Sequence, residues 1–272
     1  MTVTVNSQTT TSTAQNCLVD VIMRTKNSEE FLDKCLQSIY QEIPLGRIII
    51  IDAGSTDKTL EIASSFDKVD VYVKPDLNLG QATKFGFSKA KTEWVAVIDS
   101  DVILKRGWFD DMKRHMDQSD AVEGCRIEYY KLKRVQDFTK VKYGVFGQTL
   151  IKRKYLQTLN LDMPHGEDAA TKYYFDQNGL KWKKVENYLA EHYPKFDSDP
   201  YNVYHRTGTI IAAGPRFVPK HQQIEEGHTY RKYHMMTFKE LIWKSFIRSI
   251  FREAYIAFRT RIWFVLAYLG LI

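Results

Sequence analysis

The chain has 272 residues, 44% of them hydrophobic, enough to bury a large core, which excludes a disordered or fibrous protein. Its three cysteines, Cys17, Cys35 and Cys125, are widely spaced and include no C-x-x-C pair, which excludes a disulfide framework or zinc site and fits a reducing, cytoplasmic setting. The net charge of +6 lies wholly from Arg231 onward, where eight Lys/Arg face two Asp/Glu; residues 1–230 balance at zero, so a nucleic-acid binder with a basic patch on its folded domain is not expected.

In chain order, residues 1–16 lack both a basic n-region and an apolar run, so they read as a disordered tail and not a secretory signal. Leu18–Met23 predicts a strand. Ser28–Tyr40 predicts a helix capped by Ser28, with Phe31, Leu32, Cys35, Leu36 and Ile39 on one side. Gly46 punctuates, Arg47–Ile51 predicts a second strand, and Asp52–Asp57 leads into a helix over Lys58–Ser65. Val69–Val73 reads as a third strand and Gln81–Ala90 as a third helix. Trp94–Leu104 is a β-branched apolar run that carries Asp99 and Asp101 to the end of a sheet. Strands alternating with helices of about ten residues imply βαβ units and a largely parallel sheet, which binds ligands at the carboxyl ends of its strands.

Three polar clusters fall at those ends: Arg24–Asn27, Asp52–Asp57 and Asp99–Asp101. Each alone reads as a turn or helix cap. Together they line one rim. Two carboxylates one residue apart suit Mg2+ or Mn2+, ions that draw their remaining ligands from water and substrate phosphates, which points to a phosphorylated substrate.

Further along, residues 121–151 show no clean period. Gly166-Glu167-Asp168 opens a helix that ends at Asn178-Gly179, and its acidic first turn is also what the helix dipole favours. Leu180–Leu189 predicts a strand ending near Glu191-His192. Residues 194–230 are loop-rich, as in a substrate lid or domain junction. In Phe238–Ile272, Lys244, Arg248, Arg252 and Arg259 share one helical face beside a broad apolar arc that includes Trp243. That pattern fits an interfacial helix on an anionic membrane surface, the alternative being a helix pair packed on the core with its arginines in solvent. The final uncharged run, Ile262–Ile272, is too short to span a bilayer, which takes about 20 residues.

These motifs resemble the inverting glycosyltransferases of family 2, over roughly Val19–Tyr193. Thr25 and Asn27 stand in the family's P-T-x-N turn, with Arg24 in place of proline; Asp52-Ala53-Gly54-Ser55-Thr56-Asp57-Lys58-Thr59 matches its D-D/x-G-S-x-D-x-T segment. Ala82-Thr83-Lys84-Phe85-Gly86 resembles A-x-N-x-G, with Lys84 replacing asparagine; Asp99-Ser100-Asp101 matches D-x-D and Glu167-Asp168 the E-D pair. The resemblance implies a GT-A (Rossmann-like) α/β fold, a mostly parallel sheet flanked by helices over residues 17–230, followed by the C-terminal basic helices of 231–272. It implies a nucleoside-diphosphate sugar donor contacted by Thr25, Asn27, Asp52, Lys84 and Asp99, Mn2+ or Mg2+ on Asp99 and Asp101, and catalysis by Asp168 with Glu167. A histidine beyond the E-D helix completes the metal shell in some members, and His192, with His205 behind it, is the candidate here. The Q-x-x-R-W signature of processive members is absent after the E-D pair, which implies transfer of one sugar per encounter. The basic C-terminus adds an expected anionic membrane partner, peripheral or monotopic at its cytoplasmic face, and a lipid-linked or glycan acceptor. Two other readings compete: a non-catalytic membrane-surface binding protein on a transferase scaffold, and a haloacid-dehalogenase-like phosphatase using D-x-D as its nucleophile loop.

Overall fold

The computed structural model describes residues 17–130, 133–137, 146–162 and 166–194. Its first half alternates strands β1 (Val19–Thr25), β2 (Leu45–Asp52), β3 (Val69–Val73) and β4 (Trp94–Ile98) with helices α1 (Leu32–Glu42), α2 (Thr59–Ser64) and α3 (Leu79–Lys89). The second half contains β5 (Val102–Leu104), α4 (Trp108–Met116), β6 (Ala121–Tyr130), β7 (Lys133–Asp137), β8 (Gln148–Lys152), α5 (Arg153–Leu156), α6 (Glu167–Gln177) and β9 (Trp182–His192). The strands form one sheet in the order β3-β2-β1-β4-β8-β6-β9-β5, with β7 hairpinned onto β6.

The four strands β3, β2, β1 and β4 are mutually parallel, as the βαβ pattern predicts. Beyond β4 the sheet is mixed. Strand β8 runs antiparallel to β4 and β6, β9 runs parallel to β6, and β5 closes antiparallel on β9.

The apolar strand runs are continuous because both faces of the sheet are covered. Alternate residues divide between two cores, as the strand period requires. Val21, Met23, Ile48, Ile50, Ala96 and Ile98 face α1, α2 and α4, whereas Ile22, Ile49, Ile51, Val95 and Val97 pack with Ala82, Phe87, Phe146 and Phe175 on the opposite side.

Four sequence expectations change. Helix α1 begins at Leu32, not Ser28; the Ser28 carbonyl accepts from Leu32 N at 3.1 Å, while its hydroxyl pairs with Ser100 at 2.9 Å instead of capping a helix. Gly46 lies inside β2, where an added Cβ would sit 2.5 Å from the Asp20 carboxylate, so it serves close approach and not a turn. The Trp94–Leu104 run breaks at Asp99–Asp101, where Val102 N donates back to Asp99 O at 3.1 Å, and β5 leaves for the far edge of the sheet. The aperiodic stretch 121–151 holds three strands, its pattern broken by the buried Glu123 and Arg126 of β6. None of the three cysteines forms a disulfide among the described residues. Residues 1–16, most of the 194–230 segment, His205 and the 231–272 helices lie outside the described residues. No helix among the described residues is long and apolar enough to cross a membrane.

Candidate functional site

The first two clusters form one interlocked surface. After β1 the chain turns through Asn27, which has a left-handed backbone (φ +51°) of the kind asparagine tolerates better than most residues. Asn27 N donates to Ser55 Oγ (2.8 Å), and its side-chain oxygen accepts from Thr56 N (2.8 Å). Ser28 N donates to Thr59 Oγ1 (2.6 Å), and Lys58 N to Glu29 (3.0 Å). Asp52, wholly buried, accepts from Thr25 Oγ1 (2.8 Å), Gly54 N (2.9 Å), Ser55 N (2.7 Å) and the Ser55 hydroxyl. Thr25 is also buried. Of the residues implied to contact the nucleotide, Thr25, Asn27 and Asp52 therefore spend their polar atoms shaping the loop pair. Lys84 is exposed on α3.

The Asp99–Asp101 turn stands beside this surface at the end of β4. Arg24, the residue in the proline position, donates through Nη2 to Asp99 Oδ1 at 2.6 Å and through Nη1 to Thr83 Oγ1 at 3.2 Å and to Glu167. Burial works against the Arg24 charge, yet Glu167 and Asp99 outweigh it and hold the guanidinium protonated even more firmly than usual. Burial likewise pushes the Asp99 carboxyl up; Arg24, then Arg126 and His192, overcome that and hold it below the ordinary carboxylate range. Gly147, just before β8, packs against this carboxylate: its φ is +103°, and an added Cβ would come 2.4 Å from Asp99 Oδ2 and 2.7 Å from Arg126. Only glycine satisfies both conditions.

His192, the last residue of β9, pairs with Val102 of β5, and that register brings its Nε2 to 3.2 Å from Asp101 Oδ1. The next residue, Tyr193, donates its N–H to Asp101 O at 2.9 Å and stacks between Phe31 (4.7 Å) and Tyr129 (5.2 Å). The E-D pair opens α6: Glu167 is 4% exposed and ion-paired with Arg24, and Asp168 is half-buried at the helix start.

Among the described residues no three His, Cys, Asp or Glu side chains form a closed metal cluster. The donor set nonetheless fits a divalent cation: Asp101 and His192 already converge, and Asp99 lies on the same turn with Oδ2 outside the Arg24 contact. Carboxylates with one imidazole suit Mn2+. Sequence reasoning gave no role to Arg24, Arg126, Gly147 or Tyr193. Arg24 did leave a signal, a charged residue just after the apolar Val21-Ile22-Met23 run of β1; the other three fall in or beyond the stretches whose pattern was unreadable.

The description Glycosyl transferase family 2 matches residues 20–176, more than half of the chain. The chain belongs to this family. Membership sets aside the haloacid-dehalogenase alternative. Within the family, an uncharacterized glycosyltransferase of Haemophilus influenzae is 30% identical over 176 residues, covering 56% of this chain and 69% of that protein. The glycosyltransferase GlyG of Streptococcus pneumoniae is 34% identical over 113 residues, and there the match spans only 36% of the relative's length and 38% of this chain. Two solved structures share the GT-A fold. S. aureus TarS 1–349, in complex with UDP-GlcNAc, has a TM-score of 0.56 at 14% identity, covering 85% of this chain and 77% of that one. Glucosyl-3-phosphoglycerate synthase from Mycobacterium tuberculosis, in complex with Mn2+, UDP and phosphoglyceric acid, has a TM-score of 0.55 at 18% identity, covering 72% and 76% respectively.

Proposed function

We propose that this family 2 member transfers one sugar, with inversion, from a nucleoside-diphosphate donor to an acceptor hydroxyl or phosphate. The observation that carries the reading is that the Asp99–Asp101 turn and the start of α6 meet on a single side chain, Arg24, next to the interlocked loops of β1 and β2. The UDP and UDP-GlcNAc found in the structural neighbours support a uridine nucleotide as the first donor to try.

In this reading the loop pair presents a rigid rim to the nucleoside, with Asp52 acting through the loop it shapes and Lys84 reaching a phosphate. Asp99, Asp101 and His192 would hold Mn2+ or Mg2+. When bound, that ion neutralises the departing diphosphate, so no protein acid is needed for the leaving group. Asp168, half-buried at the start of α6, takes the proton from the acceptor as the new glycosidic bond forms and the bond to the diphosphate breaks. Attack from the face opposite the leaving group inverts the anomeric centre. The basic amphipathic pattern of residues 238–272 supports a lipid-linked or glycan acceptor at an anionic membrane surface.

The test is a thermal-shift screen of nucleoside diphosphates on the full chain with and without Mn2+, since a ligand bound only by the native state raises Tm. One nucleotide giving a Mn2+-dependent shift is expected. No shift with any nucleotide would favour the binding-scaffold alternative. Sedimentation with anionic and neutral liposomes, comparing the full chain with one ending before Phe238, checks the membrane partner: the longer chain alone should partition, and only to anionic vesicles.

A further inference from the structure

Arg24 is a departure from the family pattern, and its surroundings are unusual for a residue at the end of a parallel strand. Its side chain is 11% exposed and joins three elements remote in sequence: Thr83 on α3, Asp99 on the turn after β4, and Glu167 in the first turn of α6. The two carboxylates lie on different nitrogens of one planar fork. A lysine ammonium is a point charge with flexible reach and lacks that fork geometry, so it cannot hold both contacts as arginine does. Glu167 adjoins Asp168, and its carbonyl accepts from Thr171 at 2.6 Å, so fixing its carboxylate fixes the start of the helix that carries Asp168.

Resting on the reading given above, we propose that Arg24 is a positioning residue that sets both halves of the reaction at once. Through Asp99 it fixes the carboxylate on the metal–diphosphate side, whose other oxygen, Oδ2, lies against Gly147. Through Glu167 it aims Asp168 at the acceptor. The donor side and the proton-accepting side are thereby held in one frame by a side chain that itself touches neither substrate.

The experiment is a double-mutant cycle of Arg24→Lys and Glu167→Gln on the full chain, read both as turnover at saturating substrates and as a Mn2+ titration of UDP binding. Misaiming a reacting group by about 1 Å costs up to about 100-fold, and the turnover of Arg24→Lys is expected to fall by about 10- to 100-fold. Its half-saturating Mn2+ should rise by about 10-fold or more, as when an outer partner of a metal ligand is lost. Glu167→Gln should lower turnover and leave the Mn2+ titration as in the wild type. In the Glu167→Gln background, Arg24→Lys should cost little further turnover while still shifting the titration, because residues acting as one unit are not additive. A merely structural Arg24 would lower Tm without this split. Wild-type turnover and titration in a folded Arg24→Lys protein, or losses that multiply, would overturn the proposal. So would unchanged turnover in Glu167→Gln, which keeps the test decisive should Arg24→Lys fail to fold. Absence of Mn2+-dependent UDP binding in the wild type would instead sink the functional reading itself.

Discussion

Along β3, β2, β1 and β4 the strand interiors are almost wholly apolar, and the polar groups gather at the strand ends, where Thr25, Asn27, Asp52 and Ser55 bond to one another. Along β8, β6 and β9 buried polar groups also lie inside the strands, at Thr149, Glu123 and Arg126, besides Gln148 and His192 at the ends of β8 and β9. The first half thus makes a stiff rim whose polar groups are mutually committed. The second half builds a charged wall against the Asp99–Asp101 turn, with Arg126 donating to Phe146 O at 2.8 Å beside Gly147 and His192 facing Asp101. A frame and a reactive wall should respond differently to damage, and that contrast can be tested.

The largest effect is expected at Asp168, the proposed general base at the start of α6. Asp168→Asn should lower sugar transfer by about two to four orders of magnitude, the range for a lost general base, with donor affinity unchanged by calorimetry. Loss of donor binding with turnover preserved at saturation would make Asp168 a binding residue. A pair of glycines sharpens the contrast. Gly147→Ala places a side chain at φ +103° against Asp99 and should cost about 1–3 kcal/mol of stability by urea melts, with weakened Mn2+-dependent UDP binding. Gly46→Ala crowds Asp20, whose other oxygen is held by Lys91 N at 2.6 Å, and should cost about 1–3 kcal/mol with nucleotide binding untouched. Equal effects on binding would erase the distinction between the halves.

The smallest effect concerns acid. Burial works to raise the Asp120 carboxyl, but Lys181 N–H, Lys152 and the Tyr155 hydroxyl outweigh it and hold it below the usual range. The folded state therefore prefers the charged form. Its stabilisation is complete above the unfolded carboxylate value of about 3.9 and fades as pH falls through the lower folded value. Asp120→Asn should cost about 1–2 kcal/mol at neutral pH, and its Tm deficit should shrink below about pH 4. A deficit independent of pH would refute the charge argument.

Legibility in the sequence follows the same division. Strands β1 to β4 could be read to within two or three residues at most ends because two-sided burial leaves nearly continuous β-branched runs, and the D-x-D motif sits where the β4 run stops. Strands β6 and β8 could not be read, because Glu123, Gly124, Arg126 and Gln148 interrupt the apolar pattern, and the partners of Glu123 and Arg126, Trp182 and the Phe146 carbonyl, are distant in the chain. Asp99 and Glu167 were visible as residues. Their joint dependence on Arg24 was not, since a buried ion pair between elements leaves no periodic trace. Ser28 misled because a serine before a helical run suits an N-cap, and only the tertiary contact with Ser100 shows its hydroxyl engaged elsewhere.

The central claim is that the Asp99–Asp101 turn, with His192, forms the metal–diphosphate end of the site. Calorimetric titration of UDP into the wild type and into Asp101→Ala, each with and without Mn2+, tests it most directly. The wild type should bind at least about tenfold more tightly with Mn2+, a difference of about 1.4 kcal/mol or more, and folded Asp101→Ala should show no Mn2+ effect. Folded Asp101→Ala that keeps wild-type, Mn2+-dependent affinity would contradict the account.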